Sequence, residues 1–240
     1  MNALRSPISC IAADFGGTIA VSGSATAPDG RLAAQILRDE FGMPVPADFA
    51  TVLEETSREL YAVEKAAGTQ TGYPGILSMV ADRLGMNMPD PVAVAIAVFD
   101  AVPDARVDPR AAQALKDLAA AGIRLVLASN TRWPGPVRER TLSKAGIAEC
   151  FAGVVLSSEL GLAKPHPGFY TRVLELAGCP PEEVVFVGDT PTKDVIAPRS
   201  HSMQAVLITD PPVRPPSTPA DVPVIAHFAD IVPLVAGDSR

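Results

Sequence analysis

Short apolar runs that break off at polar residues constrain this 240-residue chain most strongly. Ile8 to Ala13 ends at Asp14, Ile123 to Ala128 at Ser129, and Val184 to Val187 at Gly188-Asp189. Val154 to Leu156 and Ala205 to Ile208 are similar, and Val224 to Ala226 is a short candidate for a sixth. None alternates strictly between apolar and polar residues. Such runs read as strands buried on both faces, the signature of a parallel sheet. Helical segments separate the later runs. Asp108-Pro109 has the form of an N-cap followed by a first-turn proline, and Gly122 stands where a helix-ending glycine belongs. Between them Ala112, Leu115, Leu118 and Ala119 form an apolar stripe. Pro167 opens another helix, through Tyr170, Val173 and Leu176 to Gly178. This alternation predicts an α/β fold, a Rossmann-like parallel sheet flanked by helices.

Residues 24–104 break the alternation. Leu32, Ala33, Ile36 and Leu37 share one helical face, and Phe49, Val52, Leu53, Leu60 and Val63 mark a longer helix. Ile76, Val80 and Leu84 mark a third, and Asp90-Pro91 caps a fourth that runs through Phe99. The expectation is an α-helical domain (24–104) inserted into a core made of residues 1–23 and 105–240. Near the other end, six prolines between Pro211 and Pro223 read as a plain surface loop.

Composition narrows the function classes. A net charge of −7, with no basic stripe, argues against a nucleic-acid partner. No stretch approaches the roughly 18 apolar residues of a membrane span, and the N-terminal run is too short and broken for a secretory signal. Cys10, Cys150 and Cys179 lie far apart with no CxxC pair, which fits a reducing cytoplasm and not a structural zinc site. Nothing in the sequence fixes the oligomeric state.

Ligands of an open parallel sheet sit beyond the carboxyl ends of its strands, and three runs end there in Asp14, Ser129 and Asp189. After Asp14 comes Phe15-Gly16-Gly17-Thr18, where a glycine pair lets backbone amides approach a phosphate. Ser129-Asn130-Thr131 supplies hydroxyls and amides for phosphate oxygens. Lys164, in Gly161-Leu162-Ala163-Lys164-Pro165, offsets negative charge on a nucleophile and substrate. Asp189 and Asp194 lie five apart and, beside Asp14, would repel one another. A hard divalent cation resolves that repulsion, and oxygen ligands favour magnesium.

In order and spacing this set resembles the haloacid dehalogenase-like superfamily, whose members are mostly magnesium-dependent phosphohydrolases; the insert resembles that family's helical cap of the first type. The resemblance implies Asp14 as the nucleophile, forming an aspartyl-phosphate. Gly17, Thr18, Ser129, Asn130 and Lys164 would hold the phosphate, with Lys164 also acting in catalysis. Asp14, the Gly16 carbonyl, Asp189 and Asp194 would supply the Mg2+ ligands. The substrate would be a small phosphorylated metabolite. One position departs from the phosphatase pattern Asp-x-Asp-Gly-Thr: Gly16 occupies the place of the second Asp, the general acid and base. Losing such a group typically costs on the order of 10²–10⁴ in rate. Family dehalogenases and phosphonatases also lack it. A different bond chemistry, or a catalytically weak protein that binds a phosphorylated ligand, are therefore the alternative readings. Further candidates for contact with substrate are Arg132 and Trp133 after the phosphate loop, His166 as a substitute acid, and Glu64, Tyr61 and Tyr73 from the cap. Lys65, the cap's lone lysine, reads as a solvated helix residue.

Overall fold

A computed structural model describes residues 4, 5 and 7–236. Six parallel strands, β1 (Cys10–Ala13), β2 (Arg124–Ser129), β3 (Gly153–Leu156), β4 (Val184–Gly188), β5 (Gln204–Ile208) and β6 (Val224–Ile225), form one sheet in the order β3-β2-β1-β4-β5-β6. The chain moves outward from β1 through β2 to β3, then returns across β1 to begin β4. The order therefore reverses between β1 and β4, and a crevice opens at their carboxyl ends.

Alternate residues of each strand face opposite layers, as the pleat requires. On one face Ile11, Ala13, Leu125, Leu127, Val185 and Val187 pack against Leu115 and Leu118. On the other, Cys10, Ala12, Val126, Ala128 and Phe186 meet Phe169, Tyr170 and Val173. Burial on both sides is why the strands read as continuous apolar runs rather than alternating ones.

The helices, in chain order, are α1 (Gly30–Asp39), α2 (Phe49–Ala67), α3 (Tyr73–Leu84), α4 (Pro91–Asp100), α5 (Pro109–Ala120), α6 (Gly135–Lys144), α7 (Ser157–Leu160), α8 (Pro167–Ala177), α9 (Ala197–Ser200) and α10 (Ile231–Ala236). Their starts are chemically defined. The Asp29 carboxylate accepts from Leu32 N at 2.8 Å, Asp90 from Val92 N at 2.9 Å, and Asp108 from Arg110 N and Ala111 N at 2.7 and 3.1 Å. Each cap satisfies a first-turn N–H that has no partner within the helix.

Helices α1 to α4 share a hydrophobic cluster of their own, with Leu37, Phe49, Ile76, Leu77 and Val98 at its centre. It is separate from the two clusters that flank the sheet. The cluster does recruit two side chains from beyond β2. Trp133 lies with its ring centroid 4.6 Å from that of Phe99, and Val137 of α6 is fully covered. Trp133 therefore plugs the helical insert and not the sheet layer.

The two crossings into the insert are joined to each other. Val21 N donates to Arg106 O and Asp108 N to Ile19 O, both at 2.9 Å, with Ala20 and Val107 bridged antiparallel. The Pro211–Pro223 segment contains no helix or strand.

Candidate active site

β1 and β4 are adjacent, so the residues that follow them converge. Asp14 N donates to Val187 O at 2.9 Å, fixing the end of β1 against β4. Oxygens of Asp14, Asp189 and Asp194 lie within 4.8 Å of one another. Lys164 enters from the segment before α8, and its Nζ donates to Asp14 Oδ1 at 2.8 Å and to Asp194 Oδ1 at 2.7 Å. Side-chain exposure is 1% for Lys164 and Asp194 but 12% for Asp14. Of these three ion-paired groups, only Asp14 reaches open space.

Two glycines make this crowding sterically feasible. A Cβ on Gly188 would collide with the Asp194 side chain, and one on Gly17 with Asp189 Oδ2. Gly17 also has a φ of +76°, a left-handed conformation that disfavours any side chain. Asp194 is delivered by a π-helical turn, Pro191–Ile196, of a kind frequent at functional sites. Its Oδ2 accepts from Thr190 N at 2.9 Å, which locks the turn back onto the end of β4. Asp189 Oδ1 accepts from the Thr190 hydroxyl at 3.0 Å.

The electrostatics follow from burial and spacing. Burial pushes the Asp194 carboxyl up to about 6; Lys164 pulls it back and the Asp14 charge adds to the rise. Asp189 is raised as well, by burial and then by Asp14. Burial opposes the Lys164 ammonium, yet Asp14 and Asp194 hold its pKa above the usual lysine value. Negative charge is thus in excess at the site. Three carboxylates against one ammonium, all hard oxygen donors on the anionic side, suit a hard divalent cation. The Gly16 carbonyl accepts no hydrogen bond among the described residues.

The phosphate-binding candidates divide into two kinds. Thr18 Oγ1 is buried with no hydrogen-bond partner among the described residues. Ser129 sits at the end of β2, 3% exposed. Asn130 is already engaged. Its Nδ2 donates to Lys164 O at 2.9 Å and its Oδ1 accepts from Lys164 N at 2.8 Å. These two hydrogen bonds to one backbone position Lys164 and use one of the two Nδ2 hydrogens of Asn130. Gly16 and Gly17 line the same cavity as Ser129 and Asn130.

The remaining candidates take structural places. His166 caps α8, its Nδ1 accepting from Gly168 N at 3.1 Å. Tyr61 is 61% exposed and carries Lys65 near its ring. Tyr73 is buried against Phe99. Glu64 and Arg132 instead pair across the two parts of the molecule: Arg132 Nη2 donates to Glu64 Oε2 at 2.6 Å and Nη1 to Thr71 O at 2.9 Å. Sequence reasoning missed Arg138 of α6, which is 4% exposed with its guanidinium carbon 3.6 Å from the centre of the Phe15 ring. Its only sequence signal is its place on one helical face with the apolar Val137 and Leu142.

Comparison with known proteins places the chain in a family. Residues 8–201 match the haloacid dehalogenase-like hydrolase family. A glyceraldehyde 3-phosphate phosphatase from Methanopyrus kandleri is 30% identical over 188 residues, 75% of this chain and 78% of that protein. A phosphoserine phosphatase from Thermus thermophilus is 36% identical over 107 residues, 45% of this chain and 42% of that protein. Among solved structures, a 2-haloacid dehalogenase from Pseudomonas syringae superposes with a TM-score of 0.66 at 19% identity, over 96% of this chain and 99% of its own, a likeness of fold. With the sheet order, the strand-end carboxylates and a family match across most of its length, the chain belongs to the haloacid dehalogenase-like hydrolases.

Proposed function

We propose that the protein is a magnesium-dependent phosphatase of a small phosphorylated metabolite, working through an aspartyl-phosphate on Asp14. The observation that carries this reading is the ion-paired set Asp14–Lys164–Asp194 beside Asp189, at the switch point of the sheet. Asp14 would attack phosphorus. Lys164 would hold the Asp14 carboxylate in place and offset charge that builds on the transferring group. Gly17, Thr18, Ser129 and Asn130 would contact phosphoryl oxygens, with Asn130 acting mainly by holding Lys164. Asp14, Asp189, Asp194 and the Gly16 carbonyl would hold Mg2+, which when bound supplies Lewis-acid stabilisation of the phosphoryl oxygens. Residues 24–104 would serve as the cap over a core of 1–23 and 105–240. The three free cysteines support a reducing, cytoplasmic setting, and no helix among the described residues is long and apolar enough to cross a membrane.

A second reading, a protein that binds a phosphorylated ligand and turns it over poorly, is favoured by Gly16, which offers no acid for the leaving group. One experiment separates the two: phosphate release from alkyl, aryl and acyl phosphates, with and without magnesium. The phosphatase reading expects magnesium-dependent release, strongest for aryl and acyl phosphates, whose leaving groups hardly need a proton. Release from none of them would favour the binding protein.

A further inference from the structure

Asp194 reaches the site on a turn whose own hydrogen bonding is incomplete. Residues Pro191–Ile196 wind as a π-helix, in which a carbonyl accepts from the N–H five residues on. Ala197 N continues the pattern and donates to Thr192 O. The next step, from Lys193, arrives at Pro198, which has no N–H. The carbonyl of Lys193, in the peptide that joins it to Asp194, is thus left without a helical donor. Such a group is costly inside a fold unless a partner comes from elsewhere.

The partner comes from α8. Tyr170 is fully buried, and its hydroxyl donates to Lys193 O at 2.5 Å. Its ring is held among Phe169 at 5.8 Å, Phe186 of β4 at 5.9 Å and His201 at 5.1 Å, between ring centres. The donor is therefore anchored in the layer against the sheet and not on the turn it serves. Beyond that peptide the Asp194 carboxylate has little freedom. Its Oδ1 accepts from Lys164 Nζ at 2.7 Å and its Oδ2 from Thr190 N at 2.9 Å, and Gly188 leaves just enough room for it. Both contacts require the Asp194 backbone to stay where it is.

We infer that Tyr170 is a positioning residue for the cation site: its hydroxyl replaces the donor that Pro198 lacks and holds the Lys193–Asp194 peptide where the Asp194 carboxylate can serve as a ligand. The inference rests on the magnesium reading for the ion and adds a residue that acts on it only through the backbone. Groups that orient a metal ligand are typically worth about 10- to 100-fold in metal affinity. Tyr170 works one peptide away from the carboxylate, which places it at the low end of that range.

The test is calorimetric titration of the whole chain with magnesium chloride, beside a urea melt of the ion-free protein. Tyr170→Phe keeps the ring and removes only the hydroxyl. It is expected to raise the magnesium Kd by about 10-fold. Adding Pro198→Ala restores an N–H five residues after Lys193 and is expected to recover most of that loss. A tyrosine that serves packing alone would lower the urea midpoint and leave the Kd of the folded protein unchanged, a result that overturns the inference. A loss of affinity that Pro198→Ala does not recover overturns it as well, because the missing donor would not be the cause. If Tyr170→Phe does not fold, the double variant decides: a Kd near wild type supports the donor role, and a rise of about 10-fold refutes it. Absence of magnesium binding in the wild-type protein removes the magnesium reading, and the inference with it.

Discussion

Neighbouring glycines in the first loop are there for opposite reasons. Gly17 has no alternative: its φ is +76° and a methyl group would strike Asp189. Gly17→Ala is expected to destabilise the fold by about 1–3 kcal/mol and to weaken magnesium binding, as read by thermal melts with and without the ion. Gly16 is different, because its φ is not left-handed and its Cβ direction is open. The missing carboxylate is thus a matter of chemistry and not of space. Gly16→Asp should fold normally and raise turnover of alkyl phosphates by about one to two powers of ten, the lower part of the usual acid-base contribution. Aryl phosphates should gain less when transfer to Asp14 limits the rate, so the quantity to measure is the alkyl gain divided by the aryl gain. An unchanged ratio would mean that the vacancy does not limit catalysis. The strand-end acids and the lysine were legible in the sequence because each follows directly on an apolar run or a short motif. Arg138 was not, because the Phe15 ring it lies against is more than 100 positions away. Nor could the sequence show that the Asn130 amide holds the Lys164 backbone through two hydrogen bonds.

At the scale of elements, a small polar latch joins the insert and the core beside the apolar contacts of Trp133 and Val137. Glu64 on α2 accepts from Arg132, and three backbone bonds support the pair: Gln70 N to Gly161 O at 3.0 Å, Ala163 N to Gly68 O at 2.9 Å and Tyr73 N to Arg132 O at 3.0 Å. Loops after β2 and before α8, which carry Asn130 and Lys164, are thereby tied to α2 and α3. Loss of the side chain in Arg132→Ala would leave the Glu64 carboxylate buried without its cation. Local opening at Gln70, Tyr73 and Ala163 should become easier by roughly 1–3 kcal/mol, the worth of hydrogen bonds to charged groups. Amide exchange at those three residues measures it; rates equal to wild type would dismiss the latch. The strands, α5, α8 and the four insert helices could be read from apolar period, caps and terminal glycines. Helix α6 could not, since its sequence GPVRERTLSK is dominated by charge and its buried face is narrow. The short π-helical turn at 191–196 has no period to detect, and the pairing between the two crossings is a contact between segments about 85 positions apart.

For the whole molecule, the concentration of acids at the switch point links stability, pH and metal. Burial raises Asp194 to about 6 and Asp189 above its ordinary value, so the folded chain holds these protons more tightly than the unfolded chain. Their contribution to stability is present at low pH and is lost as pH rises through the folded values. Magnesium relieves that loss only where the carboxylates are ionised. The rise in melting temperature on adding magnesium should accordingly be larger at about pH 7.5 than at about pH 5, and Asp194→Asn should shrink the difference. An equal rise at both values would place the ion elsewhere. The central claim, that Asp14 carries the phosphoryl group, has its own direct measurement. With Gly16 providing no base to activate water, breakdown of the aspartyl-phosphate is expected to be slow enough for it to accumulate. The protein is mixed with an aryl phosphate and magnesium, quenched in acid and mapped by peptide mass spectrometry. One phosphoryl group is expected on the Asp14 carboxylate, absent without magnesium and absent in Asp14→Asn. Turnover with no label on Asp14, or full activity in Asp14→Asn, would contradict it.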